Sequence, residues 1–232
     1  MEKRDLSLSQ RKENTREQKP SIKPLHFTLE EIQNRFDLGI RDLISRVDDA
    51  EEMLNSGSVE AAKSILRAQV VFSEGLMDFY IHELSKYCLH QMFEGNWKKS
   101  IKYNSLKIPM YRVEAALLSS KSEDWFFEHI NDEYSRTVFL GSEPMKEQLN
   151  LIGVPFSDVV ARAFPKLRPN EAKDKINGLF ARRNRIVHQN DRDHATAQQE
   201  DIDPSFVREY ISDVTNLVSS MRDVAKINES SE

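Results

Sequence analysis

Apolar residues recur at steps of three and four through four long segments of the chain. This period is that of an α-helix with one apolar face, and it constrains the fold more than any other feature. The second segment runs from about 59 to 93, the third begins after Asn170, and the fourth begins at Asp203. The first, from about 28 to 54, carries the stripe Leu29, Ile32, Phe36, Ile40, Leu43, Val47, Ala50 and Leu54. No segment shows the alternation that is typical of a half-buried strand.

Capping residues and breaks delimit these segments. Thr28-Leu-Glu-Glu31 is a capping box, in which a hydroxyl and a carboxylate three residues later satisfy free amides of the first turn. Asn55-Ser-Gly-Ser58 separates the first two segments, and Asp203-Pro204 places a capping carboxylate before a proline at the first helical position. Asn170 is expected to cap the third helix. The pattern predicts an all-α fold, an antiparallel helical bundle of four long helices with short helical insertions.

The chain divides into one domain and two tails. Residues 1–24 hold seven Lys/Arg, four Asp/Glu and almost no large apolar group, which predicts a disordered charged tail. A shorter disordered tail is expected at 228–232, which leaves 25–227 as the helical domain. Within it, prolines punctuate an insertion at about 97–170, for which the segments predict short helices around 110–119, 122–131, 144–151 and 155–164.

Composition excludes several classes of function. The formal net charge is −5, from 33 basic and 38 acidic residues, so any nucleic-acid site is a local patch and not a coat of positive charge. Seven glycines disfavour glycine-rich phosphate loops, and the single Cys88 excludes an intrachain disulfide and a multi-cysteine zinc site. No apolar run approaches the roughly 20 residues of a membrane span, and no signal-peptide core follows Met1. We therefore expect a cytoplasmic protein with no membrane association.

The stretch Phe180-Ala-Arg-Arg-Asn-Arg-Ile-Val-His-Gln-Asn-Asp191 carries most of the functional information. Arg183 lies five positions before His188, with the polar Asn184 directly after the arginine. This arrangement resembles the Arg-x4–6-His motif of the HEPN superfamily (higher eukaryote and prokaryote nucleotide-binding), and most closely its RiboL-PSP-HEPN branch. The specific resemblance covers residues 176–221, and the helical pattern from about 28 to 226 is compatible with that all-helical fold.

The resemblance implies a metal-independent endoribonuclease without a cofactor. RNA carries its own nucleophile, the 2′-hydroxyl, so the protein must move protons and stabilise charge on the phosphoryl group. Imidazole titrates near neutral pH and suits the proton transfers, which assigns them to His188. Arginine forms a bidentate fork with phosphate, which assigns that role to Arg183, and Asn184 would orient the site or contact the phosphate. The expected products are a 2′,3′-cyclic phosphate and a 5′-hydroxyl.

Relatives of this kind are commonly homodimers that bring two motifs into one cleft, so a homodimer built along the motif helices is expected. They often act in toxin–antitoxin or phage-defence systems, which implies RNA as substrate and an antitoxin or regulatory protein as a candidate partner. Two other readings stay open: a HEPN module that binds nucleotide, RNA or protein without cleaving, and a helical adaptor in which Arg183 and His188 only cap a helix C-terminus.

Helical geometry complicates the motif. On an ideal helix, Arg183 and His188 lie about 140° apart and do not share a face. If the helix ends near Ile186, however, His188 can fold back towards Arg183. Arg182 lies within the same spacing window and is the reserve candidate for the arginine of the motif.

A carboxylate on the second helix is a candidate partner for Arg183. Glu74, Asp78 and His82 are spaced by four residues and share a face, so they are predicted to support the site from behind. An ordinary exposed polar stripe is the alternative. A metal site formed by these three residues is disfavoured, because no fourth ligand is evident and the chemistry that the resemblance implies needs no metal.

Two basic stretches are candidates for RNA binding. Residues 166–185 hold seven Lys/Arg against two acidic residues and contribute Lys173, Lys175, Arg182 and Arg185. Residues 97–112 hold five Lys/Arg and no acidic residue, interleaved with rings that could stack on bases, and contribute Trp97, Lys98, Lys99, Lys102 and Tyr103. For the second stretch, core aromatics beside solvated lysines is the alternative interpretation.

Overall fold

The computed structural model describes residues 25–118 and 124–229, with side chains up to residue 227. The fold is all-α, as predicted, and the described residues contain no strand. A 3-10 turn, Tyr103–Ser105, precedes α3. The helices of the described part are α1 (Leu29–Asn55), α2 (Val59–Glu94), α3 (Met110–Leu118), α4 (Trp125–Tyr134), α5 (Ser142–Leu151), α6 (Phe156–Ala163), α7 (Pro169–Gln189) and α8 (Pro204–Glu229).

The long helices follow the predicted segments closely. The capping box at Thr28 is formed, because its hydroxyl accepts from the Glu31 amide and the Glu31 carboxylate accepts from the Thr28 amide. The predicted stripe of α1 is buried from Leu29 to Ala50. The third helix begins earlier than predicted, because Pro169 takes the first helical position and Arg168, not Asn170, is the N-cap residue.

Helix α2 is central to the bundle. It packs against α1, α4, α7 and α8, and its buried residues spread over most of its circumference, from Ala62 to Met92. At the crossing with α1, Gly39 allows close approach, because a Cβ there would lie 2.7 Å from a Leu76 methyl group. Helix α2 is therefore a firmly packed support for the side chains that contact it.

The insertion forms short helices near the predicted positions and contributes to the core. Phe126, Ile130, Met145, Leu149 and Val159 are buried, and α6 packs against α8. Helix α3 differs, because none of its described side chains is buried. The insertion is thus largely part of the same hydrophobic core and not a separate appendage.

The ends of the chain lie mostly outside the described residues. The predicted tail at 1–24 is one such segment, and so are residues 230–232. Helix α8 continues to Glu229, two residues past the predicted end of the domain. No helix in the described ranges combines the length and the apolar content that crossing a bilayer requires.

Candidate active site on helix α7

Helix α7 presents the predicted motif at its C-terminal half. Ala172, Ile176 and Leu179 anchor one face in the core, where α7 packs against α2, α5 and α6. The helix ends in two residues of left-handed conformation, Asn190 with φ 50° and Asp191 with φ 59°. The motif therefore occupies the last two turns of a helix whose other face is immobilised by packing.

Arg183 is half-buried beside α2. Its Nη1 donates to the Asn184 side-chain oxygen at 3.0 Å, so the residue after the arginine holds one end of the guanidinium. The Arg183 Nε is buried and has no hydrogen-bond partner in the described structure. This nitrogen faces the interior of the protein, so a group that arrives from solvent can meet only the outer end of the guanidinium.

Glu74 lies behind this guanidinium and is almost fully buried. Burial raises the pKa of Glu74 to about 7, and the Tyr210 hydroxyl and the charge of Arg183 oppose the shift. Glu74 is thus close enough to Arg183 for their charges to interact. Its burial also contradicts the alternative of an exposed stripe at this position. The second carboxylate oxygen, Oε2, has no hydrogen-bond partner in the described structure.

The Tyr210 hydroxyl joins Glu74 to the motif helix. It lies 3.0 Å from Glu74 Oε1 and 2.7 Å from the Leu179 carbonyl oxygen. A hydroxyl carries one proton, so Tyr210 shares it between these two acceptors. Burial, and not this contact, raises the pKa of Glu74.

Asp78 and His82 do not face the motif in the way that Glu74 does. Asp78 Oδ1 accepts from the Phe139 amide at 2.9 Å, and His82 Nε2 lies 3.0 Å from the Thr137 carbonyl oxygen. Both side chains anchor the segment that joins α4 to α5. No cluster of three metal-ligating side chains exists within the described residues.

His188 lies on the last turn of α7 and is exposed. The expectation that it folds back towards Arg183 is wrong, because the helix continues past Ile186 to Gln189 and keeps both residues in helical register. They therefore point about 140° apart within one chain. Asn184 and His188, four residues apart, lie close to a common face.

Arg182 has a structural role that argues against the predicted contact with RNA. Its side chain is only 5% exposed. It donates to Asp191 Oδ2 at 2.7 Å and to the Asp201 carbonyl oxygen at 3.1 Å, and it pairs with Glu200. A guanidinium with these partners is not available for phosphate, which also removes Arg182 as reserve for Arg183.

The partners of Arg182 were not found by sequence reasoning. Asp191 Oδ2 also accepts from Arg67 Nε of α2 at 3.0 Å, and Arg67 Nη2 donates to the Glu200 carbonyl oxygen at 2.6 Å. We call Arg67, Arg182 and Asp191 the arginine clamp. One sequence signal could have placed Arg67 near the motif: it lies seven residues, or two turns, before Glu74 and shares a face of α2 with it.

The other basic residues predicted near the motif are at least partly exposed and paired. Arg185 binds Glu200 at 2.8 Å, Lys173 binds Glu143 at 3.1 Å, and Lys175 binds Asp213 at 2.8 Å. Surface pairs of this kind contribute little to stability and exchange readily with solvent ions. They leave these side chains able to change partners.

The second basic stretch lies far from the motif. Trp97 is 5% exposed and packs edge-on against Tyr87, so its ring cannot stack on a base as predicted. Tyr103 is half-buried against Phe126, and the neighbouring Lys98, Lys99 and Lys102 are exposed. The alternative of core aromatics beside solvated lysines fits this geometry. From Glu74 to the end of α2 is about 30 Å along the helix axis.

The fold is an all-helical bundle, and the last turns of one helix carry an arginine, a polar residue and a histidine. This combination is typical of HEPN-type domains. The RiboL-PSP-HEPN family model matches residues 38–226, most of the chain. The protein belongs to this family, as the motif predicted. No curated protein and no solved structure matches the chain.

Proposed function

We propose that this protein is a metal-independent endoribonuclease that uses the RNA 2′-hydroxyl as nucleophile. The products would be a 2′,3′-cyclic phosphate and a 5′-hydroxyl. The observation that carries the proposal is the setting of Arg183. Its guanidinium contacts Asn184, is backed by the buried Glu74 and lies about one and a half turns of α7 before the exposed His188. Membership of the RiboL-PSP-HEPN family supports an RNA-related function.

The two motif side chains have complementary tasks in such a reaction. Arg183 would hold the non-bridging oxygens of the scissile phosphate and stabilise the charge that develops there. His188, which is exposed and able to reach substrate, would remove the 2′-hydroxyl proton or protonate the departing 5′-oxygen. Neither step uses a metal ion.

One chain alone does not place both groups on one phosphate, since they point about 140° apart on α7. A twofold axis beside α7 would supply the missing group from a second subunit. Exposed apolar residues on two helices support self-association: Val187 is 44% exposed on α7, and Phe72 and Phe79 are 57% and 50% exposed on α2. The two phenylalanines are seven residues apart and share a face. The active form is therefore proposed to be a homodimer.

The biological setting follows from the family alone. A cytoplasmic endoribonuclease of this kind would act in a toxin–antitoxin or phage-defence system, held inactive by an antitoxin or another regulatory protein. RNA would be its substrate.

The decisive experiment incubates the purified protein with a mixed-sequence RNA in EDTA and maps the product ends. We expect cyclic-phosphate and 5′-hydroxyl ends, with cleavage lost in His188→Ala and in Arg183→Ala. His26→Ala and Arg136→Ala are matched controls outside the motif and should cleave normally. His26 contacts His90, about 24 Å along α2 from Glu74.

Binding without cleavage would favour a non-catalytic HEPN module, and this is the second candidate. The observation that favours it is the separation of Arg183 and His188 on different faces of α7. If neither binding nor cleavage occurs with any RNA, the endoribonuclease proposal fails.

A further inference from the structure

The connection between α7 and α8, residues 190–203, encloses a polar cavity of about 370 Å³ next to the motif. It is lined by Arg185, Gln189, Arg192, His194, Gln198 and Gln199, among others. We propose that this cavity, the loop pocket, binds one nucleobase of a single-stranded RNA and sets where the chain is cut. The inference rests on the proposed function and assigns a substrate-reading role to residues outside the motif.

The pocket offers unfilled amide groups. In the described structure, the side chains of Gln189 and Gln198 make no hydrogen bond to the rest of the chain, whereas Gln199 Nε2 donates to the Asn190 carbonyl oxygen at 2.9 Å. A glutamine amide presents one donor and one acceptor side by side, which matches the edge of a base. Two such groups in one cavity can distinguish bases by their donor and acceptor pattern.

The charges of the pocket favour a base over a phosphate group. Arg185 is paired with Glu200, and the Arg192 Nη1 donates to the Ala197 carbonyl oxygen at 2.8 Å. Asp193 accepts from the amides of Ala195 and Thr196 at 2.9 and 2.8 Å. The lining holds three carboxylates, of Asp191, Asp193 and Glu200, against two arginines, so its charge disfavours an anionic phosphate, whereas the free Gln189 and Gln198 amides suit a neutral planar ligand.

The loop that forms the pocket is held in place by buried ion pairs and by backbone hydrogen bonds. The arginine clamp ties Asp191 to α2 and α7, and the Glu200 amide donates to the Asp191 carbonyl oxygen at 2.8 Å. Asn190, Asp191 and Ala197, all in this loop, are the non-glycine residues with positive φ in the described ranges. Strained backbone held by buried charges is typical of sites whose geometry must be preset.

The position of the pocket links it to the reaction. Gln189 directly follows His188, and Arg185 lies three residues before His188, so two lining residues of the pocket flank the histidine on the last turns of α7, although His188 itself does not line the pocket. A base seated there would belong to a nucleotide adjoining the scissile phosphate. The base bound in the pocket would then determine which phosphodiester lies at the end of α7 and is cleaved.

The test measures binding and not cleavage. Full-length protein is titrated with four fluorescent single-stranded oligonucleotides, each of one base, in which 2′-deoxy sugars remove the nucleophile. We expect wild type to prefer one base by about tenfold, as a bidentate amide contact implies. The double variant Gln189→Ala/Gln198→Ala should reduce the preference to less than twofold. Asn34→Ala, an exposed amide on α1, should preserve it.

Each outcome bears on the proposal. A double variant that retains the wild-type preference, or a wild type without any preference, overturns the loop pocket as a base site. Because the probes cannot be cut, a protein that shows the expected preference but cleaves no RNA contradicts only the endoribonuclease function. Absence of binding to every oligonucleotide overturns the loop pocket, whereas the endoribonuclease proposal is judged separately by cleavage of RNA. Thermal melting of the double variant checks that the fold is intact, since both amides lie at the surface.

Discussion

Asp191 accepts a hydrogen bond from Arg182, nine residues earlier in the chain, at 2.7 Å, and both side chains are buried. The same oxygen accepts from Arg67 of α2. This contact separates two adjacent arginines by role: Arg182 fixes the end of α7, and Arg183 is left to face the candidate site.

Asp191→Asn tests the arginine clamp. The change keeps the shape of the side chain but removes the carboxylate that two buried guanidinium groups share, although Arg182 keeps its pair with Glu200, so we expect a loss of about 3 kcal/mol in the free energy of unfolding. Urea denaturation measures it. Asp223→Asn, in an exposed pair with Arg222, is the control and should cost less than about 1 kcal/mol. Equal effects would contradict a structural role for the clamp.

Glu74 predicts a pH dependence of stability. The pKa of Glu74 is raised to about 7 in the folded state. At pH values between the unfolded and the folded pKa, the folded protein therefore keeps a proton on Glu74 that the unfolded chain has lost. Stability from this group is therefore complete below about pH 4.5 and falls as pH rises to about 7, by about 3 kcal/mol in all. In Glu74→Gln that decline should be absent. Unfolding free energies measured between pH 5 and 8 compare the two proteins, and parallel curves would contradict the assignment.

Mixed dimers test whether one cleft uses groups from two subunits. Arg183→Ala and His188→Ala should each be inactive alone, whereas co-refolded mixtures should recover a measurable fraction of wild-type cleavage, because one arginine and one histidine then meet across the twofold axis. Arg183→Lys should recover little activity, since lysine keeps the charge but lacks the fork. Failure of every mixture to cleave would argue against a shared site.

The exposed phenylalanines of α2 test self-association. Phe72→Asp/Phe79→Asp places two charges on the apolar face and should convert a dimer to a monomer, with cleavage lost at the same time. Light scattering at micromolar concentration gives the mass. Leu38→Asp, an exposed apolar residue of α1, is the matched control. A wild type that is monomeric under these conditions would contradict the homodimer.

Substitutions of Trp97 and of its lysine neighbours should affect different properties, stability in the first case and RNA binding in the second. Trp97→Ala creates a cavity in the core and should cost about 3 kcal/mol or more in stability, with RNA affinity unchanged in the folded fraction. Replacing Lys98, Lys99 and Lys102 by alanine should leave stability unchanged. If these lysines contact phosphates, the variant also lowers the salt dependence of RNA binding. Loss of affinity without loss of stability in Trp97→Ala would restore the stacking hypothesis.

Much of the fold was predictable because its signals are local. The stripe from Leu29 to Ala50, the cap at Thr28 and the break at 55–58 each lie within one or two turns of the residues they organise, so they appear directly in the order of residues. The motif was recognisable for the same reason. Glu74 was predictable in part, since its spacing from Asp78 placed it on a definite face of α2.

The roles of Arg182 and Trp97 were not predictable in this way. Arg182 is buried because Asp191 and Arg67 meet beside it, and those two residues are 124 positions apart in the chain. Trp97 is buried because the chain turns at the end of α2 and brings the ring edge-on against Tyr87 of the same helix. Burial of a charge or a ring depends on which surfaces the folded chain brings together.

Residue order alone thus specified an all-helical family member with a motif on its third long helix, because helical periodicity and motif spacing are short-range properties. Packing selected which arginine is engaged in a buried ion cluster, which carboxylate stands behind the motif and which histidine remains exposed. The reason is physical: the energy of a buried charge is set by partners that only the folded chain brings within hydrogen-bonding distance.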